Sequence, residues 1–296
     1  MDSDSSNYNL ARIEYILAGI MYGTIGWILH YVNLPSETVV FLRGIIGALF
    51  VLVYLKVLKR KLDLSQIRSN LLYLFLSGAS LGLNWVFLFA AYRHTSVAIG
   101  TLCNYTGPII VILLAPLLYK EKLHKITILC VLAAAVGLVL ISGVLEGEFH
   151  GNNMLGIIFG LLSAIFFVFL VIFNKKIESV DSYNKTVPQL LSSALMVLPV
   201  ALIMNRSGIE KPDLRSVLLV LVLGVVHTGV AYIFYFRAIN TLSVKSFSML
   251  GYIEPVVAIF VSAIFLKEPL TLSGIIGAIL ILGSAFTIEY FESKKG

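Results

Sequence analysis

A carboxylate stands directly before a proline in the apolar stretch SMLGYIEPVVAIF at residues 248–260. An ionised carboxylate in hydrocarbon is strongly disfavoured, so Glu254 needs a polar chamber, a counter-charge or a proton. Arg43, inside VVFLRGIIGALF, faces the same problem with the opposite sign. His227 adds a group able to hold or release a proton near neutral pH. Asn84 and Asn104 add amides at similar depth, each followed by an aromatic residue, Trp85 and Tyr105. One acid, one base, one imidazole and amides flanked by aromatics suit the binding of a charged small molecule and the movement of a proton. They do not suit bond cleavage. The sequence holds no HExxH and no paired aspartates, and LSGAS at 76–80 lacks the strand-to-helix context of a nucleophile elbow. A polytopic membrane enzyme is therefore set aside. No catalytic residue, metal site or cofactor is expected.

The elements that must position these groups are membrane spans. The chain of 296 residues is 58% hydrophobic and 13% charged, with a mean hydropathy of +0.94. A soluble domain carries about a quarter charged residues. A bilayer core needs about 20 apolar residues per helix. Ten stretches qualify, at 11–31, 36–58, 71–92, 96–119, 126–143, 153–174, 183–204, 214–239, 243–266 and 271–290. The fold class expected is an all-α integral membrane protein. The acidic, Ser-rich start MDSDSSNYNLAR lacks the features of a signal peptide, so the first span is expected to stay. Cys103 and Cys130 both lie in apolar spans and read as packing residues.

Lys and Arg set the orientation. With the N-terminus in the cytoplasm, the inner segments hold sixteen of them, Arg12 and Lys56 through Lys294 and Lys295. The outer segments hold five, Arg93, Arg206, Lys211, Arg215 and Lys267. LEGEFHGNN between spans five and six carries acids and no Lys or Arg, as an outer loop should. Both termini are expected to be cytoplasmic, in a cell (inner) membrane. The sequon Asn205-Arg206-Ser207 is discounted, because the short loops fit a prokaryotic protein.

The chain also repeats itself. At an offset of 147, residues 82–123 and 229–270 share twelve identities in 42 gapless positions. Gly82 meets Gly229, Tyr105 meets Tyr252, Pro108 meets Pro255, and the Lys120-Glu121 pair meets Lys267-Glu268. ALFVL at 48–52 meets ALMVL at 194–198 at an offset of 146. Two five-helix units follow, 1–147 and 148–296. Five is odd, so the second unit enters the membrane from the other side, the inverted-repeat architecture of transporters. Symmetry breaks where charge enters: Gly107 is the partner of Glu254, and Gln189 the partner of Arg43.

TGPIIVILLAPLLYKEKL and IEPVVAIFVSAIFLKEPL, the ends of spans four and nine, resemble the EamA-type drug/metabolite transporter superfamily. The likeness extends over nearly the whole chain. It implies that spans one to four and six to nine surround a central cavity, with spans five and ten outside. It implies transport of a small metabolite such as an amino acid or amine. A lipid-carrier flippase, with a lateral opening between spans, is the alternative within the superfamily.

On that frame Tyr22, Asn84, Trp85, Tyr105, Tyr232, Tyr252 and Glu254 are the candidate substrate-binding residues, with Trp27 and Tyr235 on the same spans. Glu254, Arg43 and His227 are the candidate coupling or structural charges. Pro255 frees the carbonyl of Gly251 from its helical donor, and Pro108 does the same for Asn104. Tyr15, Tyr31 and Tyr290 read as interfacial belt residues. Asn84 and Asn104 also suit helix-packing glue, and Arg43 suits a tie between helices. The expected partners are a small-molecule substrate, protons as coupling ion and the lipid bilayer. No nucleic acid is expected, and the protein is expected as a monomer or homodimer.

Overall fold

Apolar runs in hydrocarbon must satisfy every backbone N–H and C=O internally, so each coils into a helix. The computed structural model describes residues 2–114, 125–141, 151–204, 212–242 and 250–292. Regular structure among them is entirely helical: α1 Asp2–His30, α2 Ser36–Val57, α3 Leu64–Ser69, α4 Leu71–His94, α5 Val97–Asn104, α6 Gly107–Leu113, α7 Lys125–Ile141, α8 Gly151–Lys175, α9 Ser182–Met204, α10 Leu214–Gly224, α11 Ala231–Thr241, α12 Ile253–Phe265 and α13 Leu272–Glu292. A π-helical turn, Val225–Val230, joins α10 to α11.

Six stretches are long and apolar enough to cross a bilayer: Asn7–His30, Ser36–Val57, Leu71–His94, Asn153–Lys175, Ser182–Ile203 and Leu214–Tyr235. Shorter apolar helices cover Val97–Val111, Lys125–Leu140, Ile253–Phe265 and Leu272–Ile288. Leu129, Ile264, Ile279 and many other large apolar side chains point outward, as a lipid-facing surface requires. The protein is a multi-pass membrane protein. Span 96–119 is not one straight helix: α5 stops at Asn104, and α6 restarts at Gly107 before Pro108. The same break recurs in span nine, where a turn at Tyr252 precedes α12 and Pro255. Lys120, Glu121, Lys122, Ser243, Val244, Lys245, the sequon and most of LEGEFHGNN lie outside the described residues.

Packing follows small residues. A Cβ on Gly78 of α4 would sit 2.4 Å from the Gln189 carbonyl oxygen, and one on Gly82 would sit 2.8 Å from that of Ser193. Only glycine lets α4 lie this close to α9. Helix α4 packs against α8 and α9, while α10 and α11 pack against α2 and α1 respectively. The broken pair α5–α6 lies on α8, and α12 lies on α1. Helices α2 and α9 pair with each other, as do α7 and α13.

The helix ends meet at two rims. At one rim the Asp63 amide donates to Asn184 Oδ1 at 2.9 Å, and the Asn70 side-chain amide donates to the Glu178 carbonyl at 3.1 Å. Arg237 also pairs with Glu14 at 2.7 Å on this side. At the other rim the Asn33 amide donates to Ser216 Oγ at 2.8 Å, and Arg93 donates to the Leu34 carbonyl. The Val97 amide donates to Glu268 Oε1 at 3.0 Å there. The first rim carries the Lys-rich loops.

Candidate functional site

Between the rims lies a cavity of about 570 Å³, within the size range of small-molecule sites. Tyr22 and Ile25 of α1, Arg43 of α2, and Asn84, Trp85, Phe89 and Tyr92 of α4 line it. Asn104, Tyr105 and Pro108 reach it from the α5–α6 break, Phe167, Leu170, Val171, Asn174 and Lys175 from α8, and Gln189 from α9. Tyr232 and Tyr235 of α11 and Glu254 of α12 close the ring. Among the described residues, none from α7 or α13 lines it. The cavity runs as far as Lys175, Ser182 and Lys185 of the Lys-rich rim, where Lys175 is exposed.

Arg43 is 1% exposed. Its guanidinium carbon lies 4.0 Å from the Trp85 ring centroid and 5.4 Å from that of Phe89. Its Nε donates to Thr228 Oγ1 at 3.1 Å, and Thr228 in turn donates to the Leu223 carbonyl at 2.8 Å. That second bond runs from the side chain to the carbonyl five residues back, within the π-helical region. The turn presents Thr228 to α2, where Gly47 leaves room: a Cβ there would meet Thr228 Cγ2 at 2.5 Å. Arg43 Nη1 is buried without a hydrogen-bond partner among the described residues. Arg43 and Glu254 border one cavity without forming an ion pair; among the described residues the ion pair present is Arg237–Glu14.

Glu254 sits at the start of α12, beside the Tyr105 hydroxyl. That hydroxyl donates at 3.3 Å to the Gly251 carbonyl, which Pro255 deprives of its helical donor. The backbone group expected to be free is therefore satisfied from the other broken span. Asn104 accepts from Asn84 Nδ2 and Ser163 Oγ, both at 2.9 Å, and Asn84 also donates to the Ser163 carbonyl at 2.8 Å. Both amides are thus helix glue and cavity wall together. Gln189, the sequence counterpart of Arg43, lines the same cavity and donates to Ser77 Oγ at 2.9 Å and Asn174 Oδ1 at 2.7 Å.

Of the candidates named from sequence, Tyr22, Asn84, Trp85, Tyr105, Tyr232, Glu254 and Arg43 meet at this cavity. Tyr252 does not line it; the turn before α12 directs the ring toward α13, 5.8 Å from Phe286. His227 also stands off the cavity, its Nε2 3.1 Å from Thr24 Oγ1. Trp27 lies tilted against Phe265, with centroids 4.9 Å apart. Tyr15 is no belt residue: it is buried, edge-on to Tyr235 at 6.0 Å. Sequence reasoning passed over Thr228, Tyr92, Lys175 and Lys185. The two lysines were read only as topology signals, and Thr228 gains its role from the π turn.

The EamA-like transporter family matches the chain over residues 12–143 and again over 154–290. The chain is 28% identical over 294 residues to the "Uncharacterized transporter YxxF" of Bacillus subtilis, covering 98% of this chain and 93% of that protein. It is 23% identical to the "Uncharacterized transporter YoaV" of the same organism, covering 95% and 98%. "Protein PecM" of Dickeya dadantii is 25% identical over 73% of each chain. One solved crystal structure aligns with a TM-score of 0.63 at 18% identity over 94% of this chain and 97% of that one, which supports the fold alone.

Proposed function

The chain belongs to the EamA-like transporter family, and from that premise we propose that it is a secondary transporter exporting a small organic metabolite by alternating access. The observation that carries the reading is the cavity itself. Helices from both halves of the chain line it, it reaches the Lys-rich rim, and bonds between helix ends join the opposite rim. A cavity continuous with one rim and bridged at the other is the form that alternating access requires.

In this reading the six long and four short apolar helices make ten crossings, arranged as inverted repeats 1–147 and 148–296. The family match in two successive blocks supports the repeat. So does the packing pattern. Exchanging each span for its counterpart turns the α4 contacts with α8 and α9 into the contacts of α10 and α11 with α2 and α1. It leaves the α2–α9 and α7–α13 pairs unchanged. Gly82 against α9 and Gly229 against Phe50 of α2 are one such exchanged contact. Under the positive-inside rule the Lys-rich rim faces the cytoplasm, in a cell membrane with both termini inside, and the state described is open inward. Glu254 is the proton-coupling site, and Tyr22, Asn84, Trp85, Tyr105 and Tyr232 contact substrate.

Purified protein in proteoliposomes, preloaded with a labelled metabolite panel, tests the reading. Counterflow of at least one unmodified compound is expected. Chemical conversion of the compound, or no exchange across the panel, would set the transporter reading aside.

A further inference from the structure

We propose that the corner after α2 binds an anionic phospholipid, its phosphodiester on Lys56, Lys59, Arg60 and Lys61 and an acyl chain along α2. The site is separate from the cavity, and the inference does not depend on what the protein carries.

The corner is built by a helix end. Helix α2 stops at Val57; the Lys59 amide then donates to the Lys56 carbonyl at 3.0 Å, and the Arg60 amide to the Leu55 carbonyl at 2.9 Å. That pair of bonds, with Lys59 at a φ of 56°, is a Schellman turn. Glycine is the usual occupant of the left-handed position, and here a lysine takes it. Lys59, Arg60 and Lys61 thus follow directly on Lys56 of the last helical turn, and all four side chains are exposed. Leu62 fastens the corner to the body of the protein, packed with Val51, Leu55 and Val187.

The chain does not neutralise these bases. None of the four takes part in an ion pair or a side-chain hydrogen bond among the described residues. Arg60 lies over the Tyr183 ring of α9, 5.8 Å from its centroid, a contact that leaves the guanidinium without an anion. Asp63 and Asp181, acids on the segments that meet here, are engaged as helix caps. Asp63 accepts from the Ser65 and Gln66 amides, and Asp181 from the Tyr183 and Asn184 amides at 2.8 and 3.1 Å.

A basic turn that met only water would be polar throughout. This one is not: Val57 is 74% exposed and Leu64 73%, with Leu58 exposed between them. Leu49 and Val53 continue from Val57 along α2 at four-residue spacing, and all three point outward on one helix face. An apolar stripe that ends in four free bases complements a lipid, chain against the stripe and phosphate among the cations. Bases just outside a span attract anionic head groups in this way. The corner is also tied to α9, through the Asp63 amide on Asn184 Oδ1 and through Arg60 on Tyr183. A lipid seated there bears on the α2–α9 contact between the two halves and should stabilise it.

The test uses the purified full chain, stripped of lipid in a neutral detergent, with thermal unfolding followed during titration. The probes are dioleoyl phosphatidylglycerol, dioleoyl phosphatidylcholine and inorganic phosphate. Phosphatidylglycerol should raise the melting temperature saturably, the other two should not, and the preference should shrink as salt is added. Arg60→Gln and Lys59→Gln should each weaken the phosphatidylglycerol effect about fivefold in concentration. Arg215→Gln, which removes a base lying over Tyr31 at the opposite rim, should leave it unchanged. If Arg60→Gln fails to fold for want of its contact with Tyr183, Lys59→Gln carries the test alone. Equal stabilisation by phosphatidylcholine overturns the proposal, and so does an equal effect of inorganic phosphate, which would make the corner a free-anion site. A loss in Arg215→Gln as large as in the corner variants overturns it too, because attraction would then be spread over the whole surface.

Discussion

The hydroxyl of Tyr105 donates to the carbonyl of Gly251 across 3.3 Å, joining the break in the α5–α6 span to the break before α12. Tyr105 and Tyr252 align at the sequence offset of 147, yet Tyr105 lines the cavity and Tyr252 does not. The two tyrosine rings lie 6.5 Å apart, so two aligned positions serve different purposes. One ring bridges the breaks and borders Glu254; the other packs toward α13.

Tyr105→Phe removes this bridge while keeping the ring. One neutral hydrogen bond contributes about 1 kcal/mol, so melting in detergent should fall by a few degrees. Transport should fall further than stability does, because the Gly251 carbonyl and Glu254 lose a shared neighbour. Equal, small losses in both would mean that the bridge does not position the acid.

Trp85 and Tyr252 separate cavity from packing. Trp85→Ala removes the face under Arg43 and should weaken substrate binding about tenfold or more, given cation–π energies of about 1–2 kcal/mol for a desolvated pair. Tyr252→Ala should lower thermal stability and leave affinity within a factor of about two, because its ring meets Phe286 outside the cavity. Paired binding and melting measurements on the two variants decide it.

Glycine positions give a pair of opposite effects. Gly78→Ala drives a methyl to 2.4 Å from the Gln189 carbonyl and should destabilise the α4–α9 contact by about 1–3 kcal/mol. Gly283→Ala meets nothing within 4 Å and should hold or slightly raise stability through helix propensity. Urea or thermal unfolding in micelles reads both.

The helical, multi-pass architecture was legible in the sequence, because hydropathy is a local signal that the bilayer enforces. Pro108 and Pro255 announced the two breaks for the same reason. The repeat offset found Arg43 and Glu254 by their lack of counterparts. What the sequence did not carry depends on fit between helices. Thr228 acquires its bond to Arg43 only because residues 225–230 wind as a π turn, a choice made against Gly47 and Phe50 of α2. Tyr252 is itself the turn residue ahead of α12, and its ring meets Phe286 of α13. Lys175 and Lys185 look like ordinary topology charges until α8 and α9 place them at the cavity mouth.

Asp63 makes a pH test outside the membrane span. Its carboxylate caps α3, accepting from the Ser65 amide at 3.0 Å and the Gln66 amide at 3.3 Å. The bonds from Ser65 and Gln66 hold it below the ordinary carboxylate range. A depressed value means the charged form is favoured by folding, so the cap contributes fully above the unfolded value and is lost as pH falls through the folded one. Asp213, depressed by its bonds from Ser216, behaves likewise. Protection of the Ser65 and Gln66 amides, taken as exchange relative to the intrinsic rate at each pH, should be higher at neutral pH and fall on acidification below the ordinary carboxylate range. Asp63→Asn should flatten that dependence; an unchanged profile would remove the cap from the account.

The last prediction concerns Glu254. A proton and the amino group of a substrate would compete for one carboxylate in the cavity. If release of one accompanies capture of the other, export of substrate is tied to proton entry. Glu254→Gln keeps the size and removes the charge. The Tyr105 hydroxyl beside it can still donate to the Gly251 carbonyl, so the variant should fold and insert. In proteoliposomes it should lose acceleration by an imposed pH gradient. Exchange of substrate for substrate is expected to weaken about tenfold with its pH dependence flattened, the loss of one charge-assisted contact. Normal transport with intact pH coupling would make Glu254 a structural residue and end the coupling proposal. Loss of insertion would point the same way, and Glu254→Asp, which keeps the charge, would then have to restore both insertion and coupling for the proposal to stand.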